Sequence, residues 1–195
     1  MNALDHYRRA QEGFEAVLSA VPLEKWDTPS MCADWTVQDV AGHLIWGQRQ
    51  LRHWALGQHY GNLEGAPGAA HPAVLATSDP LQTYQESRAA ADECLTEQIL
   101  EQVVRLPALG ETQLSALIPL LITDHMAHAW DIGHALGMDV RFDSDLISVS
   151  HGWARTHILR APAFFGPELT SPPGADAQSR WLAYLGRAVW QPAFA

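Results

Sequence analysis

Apolar residues recur at helical spacing along most of the chain. Tyr7, Ala10, Phe14, Val17 and Leu18 predict a helix over residues 2–20, ended by Val21-Pro22. Thr36-Val-Gln-Asp39 is a capping box in its shorter, Asp-bearing form and predicts a second helix from Thr36 to Leu56, stopped at Gly57. Residues 57–80, rich in Gly, Pro, Ala and His, predict one long loop, and loops of that length in compact chains are often functional. A third helix is expected over 81–103. A fourth runs from Ser115 to Gly137, with Pro119 either in its first turn or kinking it. A fifth spans about 143–160, then a Pro/Gly loop over 161–174 and a short helix over 176–187. No internal repeat and no strand alternation longer than a few residues interrupts this order. The expected architecture is all-α: a four-helix bundle over about 2–140 with extra C-terminal helices over about 141–195, together one domain.

Composition narrows the partners. The 12 Lys and Arg residues are outnumbered by 22 Asp and Glu, and Lys25 is the only lysine, so no basic surface for nucleic acid or anionic lipid is expected. No apolar run is long enough to cross a membrane, the N-terminus does not read as a signal peptide, and the cytoplasm is the expected compartment. Cys32 and Cys94 are too far apart in sequence to suggest a disulfide framework. Cys32 is expected to be structural, although it precedes helix two and could approach the mouth of the bundle. The eight tryptophans are compatible with core bulk or with a homodimer.

The histidines change the picture. At about 100° per residue, Asp124, His128 and Asp131 fall on one narrow face of the fourth helix with Leu117, Leu120, Leu121 and Ala135. His43 lies on the apolar face of the second helix with Val40, Gly47, Leu51 and Trp54. Burying such groups unpaired costs several kcal/mol, so something must compensate them. Two readings stay open on spacing alone. Asp124 and His128, one turn apart, form an internal ion pair while His43 is a core histidine satisfied by a backbone carbonyl. Alternatively, the three hold a divalent metal as two nitrogens and a carboxylate. Asp131 can orient a ligand histidine or cap a nearby helix start, whereas His125 points about 100° away from Asp124 and does not converge with His128. His53 and His134 read as surface residues, and His59 or His71 could join the site if the long loop roofs it.

Three blocks resemble a known family. Cys32-Ala-Asp-Trp-Thr-Val-Gln-Asp-Val-Ala-Gly-His43-Leu and Asp124-x-x-x-His128-x-Trp-Asp131 continuing to Gly137 are similar to segments of the mycothiol-dependent maleylpyruvate isomerase N-terminal domain, of the DinB-like four-helix bundle superfamily, and Arg180-Trp-Leu-Ala-Tyr-Leu-Gly-Arg187 is similar to the closing segment of its actinobacterial-type metal-binding subfamily. The resemblance implies a metal at His43, Asp124 and His128, zinc by family expectation with nickel, iron or manganese as alternatives. Asp124 stands where the isomerase uses Glu. It further implies a low-molecular-weight thiol, mycothiol or bacillithiol, presented to a small electrophilic substrate by a thiol-dependent transferase or isomerase. The roughly 55 residues after Val140 are too short for the isomerase's sizeable C-terminal domain, which argues against maleylpyruvate itself. Arg180 and Arg187 are candidates to bind an acidic group of the thiol cofactor, and Arg160 a third. The rival functions are a non-catalytic metal-binding or stress-response protein, and a metal-free bundle that associates with other proteins.

Overall fold

A computed structural model describes residues 2–106, 110–161 and 163–190. Met1, residues 107–109, Pro162 of the expected 161–174 loop and the 191–195 end of the expected domain lie outside them. Six helices follow in order: α1 Ala3–Ser19, α2 Val37–Ala55, α3 Pro80–Asp92, α4 Leu114–Ala135, α5 Ser144–His157 and α6 Ala177–Tyr184. The first four form the bundle. α1 packs along α4 and α2 along α3, while α1–α3 and α2–α4 contacts close the ring; α5 packs on α4 and α6 on α5. Among the described residues no helix is long and apolar enough to cross a membrane.

Local chemistry sets the helix ends. Thr36 accepts from the Asp39 backbone N–H while the Asp39 carboxylate accepts from the Thr36 N–H, so the expected capping box is formed. Asn2 and Asp5 make the same arrangement at the start of α1. α4 ends before Gly137, whose positive φ of 72° lets the chain turn back without a Cβ clash. Pro119 lies in the second turn of α4 rather than the first; the carbonyl one turn earlier belongs to exposed Ser115, where water can take it.

The third helix is shorter than its pattern predicts. It stops at Asp92, and a turn of 3-10 helix over Ile99–Glu101 leads into an antiparallel pair, Val103–Leu106 with Gly110–Gln113, where no strand was expected. Tertiary packing overrides the helical period here: Leu95 and Leu100 both bury in the core between α1 and α4, and Thr96 restarts the chain by accepting from the Ile99 N–H. Val103 and Val104 then follow as β-branched residues suited to a strand. The final two helices end at His157 and Tyr184, three residues earlier than expected in each case.

The long loop is folded onto the bundle. It includes a 3-10 turn over Pro72–Leu75 that packs against α2, the Ala73 N–H donates to Asp39 Oδ1 at 2.9 Å, and the Trp35 and Trp46 indole N–H groups donate to the carbonyls of Ala69 and Asn62. The backbone is thereby fixed against the second helix just above His43.

Candidate metal centre

Three elements meet at one end of the bundle: α2 brings His43, α4 brings Asp124 and His128, and the segment before α2 brings Cys32. His43 is 5% exposed and His128 8%. Each imidazole has one nitrogen tied within the protein. His43 Nδ1 donates to the Gly65 carbonyl at 2.7 Å, and His128 Nδ1 faces Asp131 Oδ2 at 3.0 Å. Those contacts direct both Nε2 atoms toward Asp124, which meets His43 Nε2 with Oδ2 and His128 Nε2 with Oδ1, each at 3.4 Å.

That distance is compatible with two chemistries, since His6 and Asp145 pair at the same 3.4 Å; what sets this cluster apart is that two imidazoles converge on one carboxylate. A charge-assisted N–H···O pair closes to about 2.7–2.9 Å. Two ligand atoms each about 2.1 Å from a tetrahedral ion stand roughly 3.4 Å apart. His43, Asp124 and His128 each offer a donor atom, all within 4.8 Å of one another. Two imidazoles and one carboxylate fit a borderline divalent cation with a coordination position left for water or substrate. Asp124 is the most exposed of the three, its side chain 23% accessible, so the approach from solvent runs past it.

The surroundings support His128 from behind. Asp131, 1% exposed, receives Arg187 in a two-pronged grip, Nε on Oδ1 at 2.8 Å and Nη2 on Oδ2 at 2.6 Å. Burial alone would raise the Asp131 pKa; Arg187 outweighs it and holds the carboxyl well below the usual carboxylate range. Asp124 is likewise held well below, burial being overcome by the imidazoles of His43 and His128. At His128 burial opposes the charged ring, but the carboxylates of Asp124 and Asp131 prevail and push its pKa well up. A His–carboxylate pair behind a ligand nitrogen is the usual way a metal-binding imidazole is fixed in orientation and tautomer.

Cys32 is closer than its sequence position suggests. A turn in which the Ser30 N–H and hydroxyl both donate to the Trp35 carbonyl carries it inward, with Asp34 in the left-handed region at φ 65°. Its Sγ lies 3.2 Å from Asp131 Oδ2 and 3.5 Å from His128 Nδ1. Cys32, His128 and Asp131 also cluster tightly enough to hold an ion, but Arg187 and His128 already occupy the Asp131 carboxylate. Burial first, and Asp131 second, push the Cys32 thiol up, so it serves as a hydrogen-bond donor in this packing rather than as a free thiolate.

The remaining predicted residues sort clearly. Asp131 faces His128 Nδ1 and caps no helix start among the described residues. His125 does not converge with the cluster: its Nδ1 donates to the Leu121 carbonyl and its Nε2 faces Gln48 at 2.8 Å. Arg187 reaches the site, yet as the partner of Asp131, so its fork is not open to an acidic group of a cofactor. Arg180 donates to the Ala175 carbonyl, and Arg160 to the carbonyls of Gly166 and Tyr184, all within the C-terminal segment. The loop does roof His43, but through the Gly65 carbonyl; neither His59 nor His71 belongs to a metal-capable group among the described residues. His53 and His134, expected at the surface, are stacked on Tyr60 at 4.6 Å and on Trp130 at 4.4 Å.

The family model of the mycothiol maleylpyruvate isomerase N-terminal domain matches residues 7–133. Two uncharacterised proteins of Mycobacterium tuberculosis, one from strain CDC 1551 / Oshkosh and one from strain H37Rv, are each 30% identical over 97% of this chain and 100% of their own length. No solved structure matches the chain. Cys32, His43, Asp124, His128 and Asp131 all fall inside the matched stretch, and Arg187 lies beyond it. The chain belongs to the mycothiol maleylpyruvate isomerase N-terminal domain family, and its all-α bundle is of the DinB-like kind.

Proposed function

We propose that this protein holds one divalent cation, zinc by preference, on His43, Asp124 and His128, and uses it to react a low-molecular-weight thiol such as mycothiol with a small electrophile. The observation that carries this reading is the convergence of both Nε2 atoms on the one Asp124 carboxylate, with each Nδ1 already engaged. Membership of a mycothiol-related family supplies the thiol. A cation so bound supplies Lewis acidity, depressing the pKa of a thiol at its open position.

The chain's own residues do the rest. The Gly65 carbonyl and Asp131 hold a proton on each Nδ1, so Nε2 is the nitrogen each ring offers for ligation, that of His128 once a cation displaces its proton. Arg187 keeps Asp131 charged. Trp35, with its ring 5.1 Å from that of His43 and 6.3 Å from that of His128, excludes water from one side of the cluster. Asp124, the exposed ligand, marks the side from which thiol and electrophile arrive.

The test has two stages. Zinc titrated into metal-free protein by calorimetry should bind one equivalent, and the loaded protein should then conjugate mycothiol to a haloarene or epoxide faster than the thiol reacts alone. Binding without turnover would restrict the function to metal binding, and no binding would remove the reading altogether.

A further inference from the structure

The face of α2 opposite His43 carries a second set of polar groups. Arg49, Arg52 and His53 line a cavity of about 310 Å³ between α2 and α3, whose α3 wall is Glu86, Ser87 and Ala90. Arg9, Arg88, Arg105, Arg141 and Arg187 all sit against carboxylates. Arg49 and Arg52, like Arg160 and Arg180, make no ion pair among the described residues, but these two face the same cavity. Glu86, in the opposite wall, is engaged one turn back by the Gln82 amide at 2.8 Å.

The donors are arranged toward one volume. Arg49 is half-buried and uses only its Nε, which donates to Ser87 Oγ at 3.3 Å; its two terminal nitrogens and the hydroxyl proton of buried Ser87 are left for the cavity. Arg52 follows three residues later and His53 four, the spacing that stacks side chains on one helix face. His53 Nδ1 is taken by the Arg49 carbonyl at 2.7 Å and its ring is held flat on Tyr60, so Nε2 is the nitrogen that remains. Helix polarity favours Arg52 and His53 in the last turn of α2, but it does not account for Arg49, which stands earlier and is withdrawn from solvent. Two guanidinium groups face one cavity whose lining holds a single carboxylate, Glu86, which forms an ion pair with neither of them, so an oxyanion entering it meets net positive charge.

We propose that this cavity binds the oxyanion end of a small molecule, a carboxylate or a phosphate, with Arg49 as a two-pronged donor, Arg52 as the second cation and the Ser87 hydroxyl as a third contact. The site is separate from the metal cluster, because Arg49 and Arg52 lie on the side of α2 away from His43. The volume suits a small acid rather than a polymer.

Calorimetric titration of the full chain with inorganic phosphate, and separately with succinate, at fixed ionic strength tests this directly. Saturable 1:1 binding of at least one of them is expected. It should weaken at least tenfold in Arg49→Gln/Arg52→Gln and in the exposed single variant Arg52→Gln by a smaller factor, while Arg155→Gln binds as the parent. The arm that saturates identifies the source as phosphate or carboxylate. No saturable binding of either anion overturns the proposal, as does binding that the double variant retains with unchanged affinity.

Discussion

His125 and His128 stand three residues apart on α4, both buried, and their surroundings could hardly differ more. His125 sits in the middle of the bundle with Tyr7, Phe14 and Tyr84 against its ring, and both of its nitrogens are consumed inside the protein, one by the Leu121 carbonyl and one by Gln48. Burial pushes its pKa down to about 4, so it is neutral in ordinary buffers. His128, at the end of the bundle, has one nitrogen satisfied and turns the other toward Asp124 and His43. A buried histidine whose two nitrogens are both satisfied is part of the core. One that leaves a nitrogen facing a carboxylate and a second imidazole is where the proposed metal site is centred.

This contrast can be broken by substitution, in descending order of effect on metal affinity. His43→Ala or His128→Ala should reduce bound metal from about one ion per chain to below about a tenth while the helical circular dichroism persists. Asp131→Asn should weaken metal binding roughly 10- to 100-fold by loosening His128. It should also cost about 3 kcal/mol of stability, because Arg187 is left buried without its partner; thermal melts and zinc titration read the two effects separately. Gly65→Ala should weaken metal about tenfold. A Cβ there would lie 2.2 Å from Trp46 Cβ and 2.8 Å from Leu75 Cδ1, so the loop must lift and carry its carbonyl off His43. His125→Ala should leave metal affinity unchanged yet destabilise the fold by about 2–3 kcal/mol, through a cavity and an unsatisfied Gln48. Normal metal in the first pair, or loss of metal in the last, would invert the assignment of the two histidines.

Much of the contrast is legible in the chain. A wheel separates His125 from His128, a capping box starts α2, and Gly57 and Gly137 stop two helices, because all of these depend on residues within one or two turns. What escapes is long-range. The Gly65 carbonyl reaches His43 across 22 residues, and Arg187 meets Asp131 across 56. A backbone carbonyl has no sequence signature, and an arginine paired with a buried carboxylate looks in sequence like one available to a ligand. Cys32 is brought to Asp131 by a turn that depends on the Trp35 carbonyl and on a left-handed Asp34, not on spacing. The early end of α3 is missed for the same reason: Leu95, Ile99 and Leu100 have helical spacing, and only the core they enter shows that they do not continue the helix.

Elemental analysis by plasma mass spectrometry, on protein purified without an affinity tag or added metal, tests the central claim most directly when the parent, His128→Ala and His125→Ala are measured together. The account predicts about one zinc per chain in the parent and in His125→Ala, and below about a tenth in His128→Ala. Absence of metal from the parent, with none taken up on titration, would contradict it and leave Asp124 and its two histidines as an internal charge cluster.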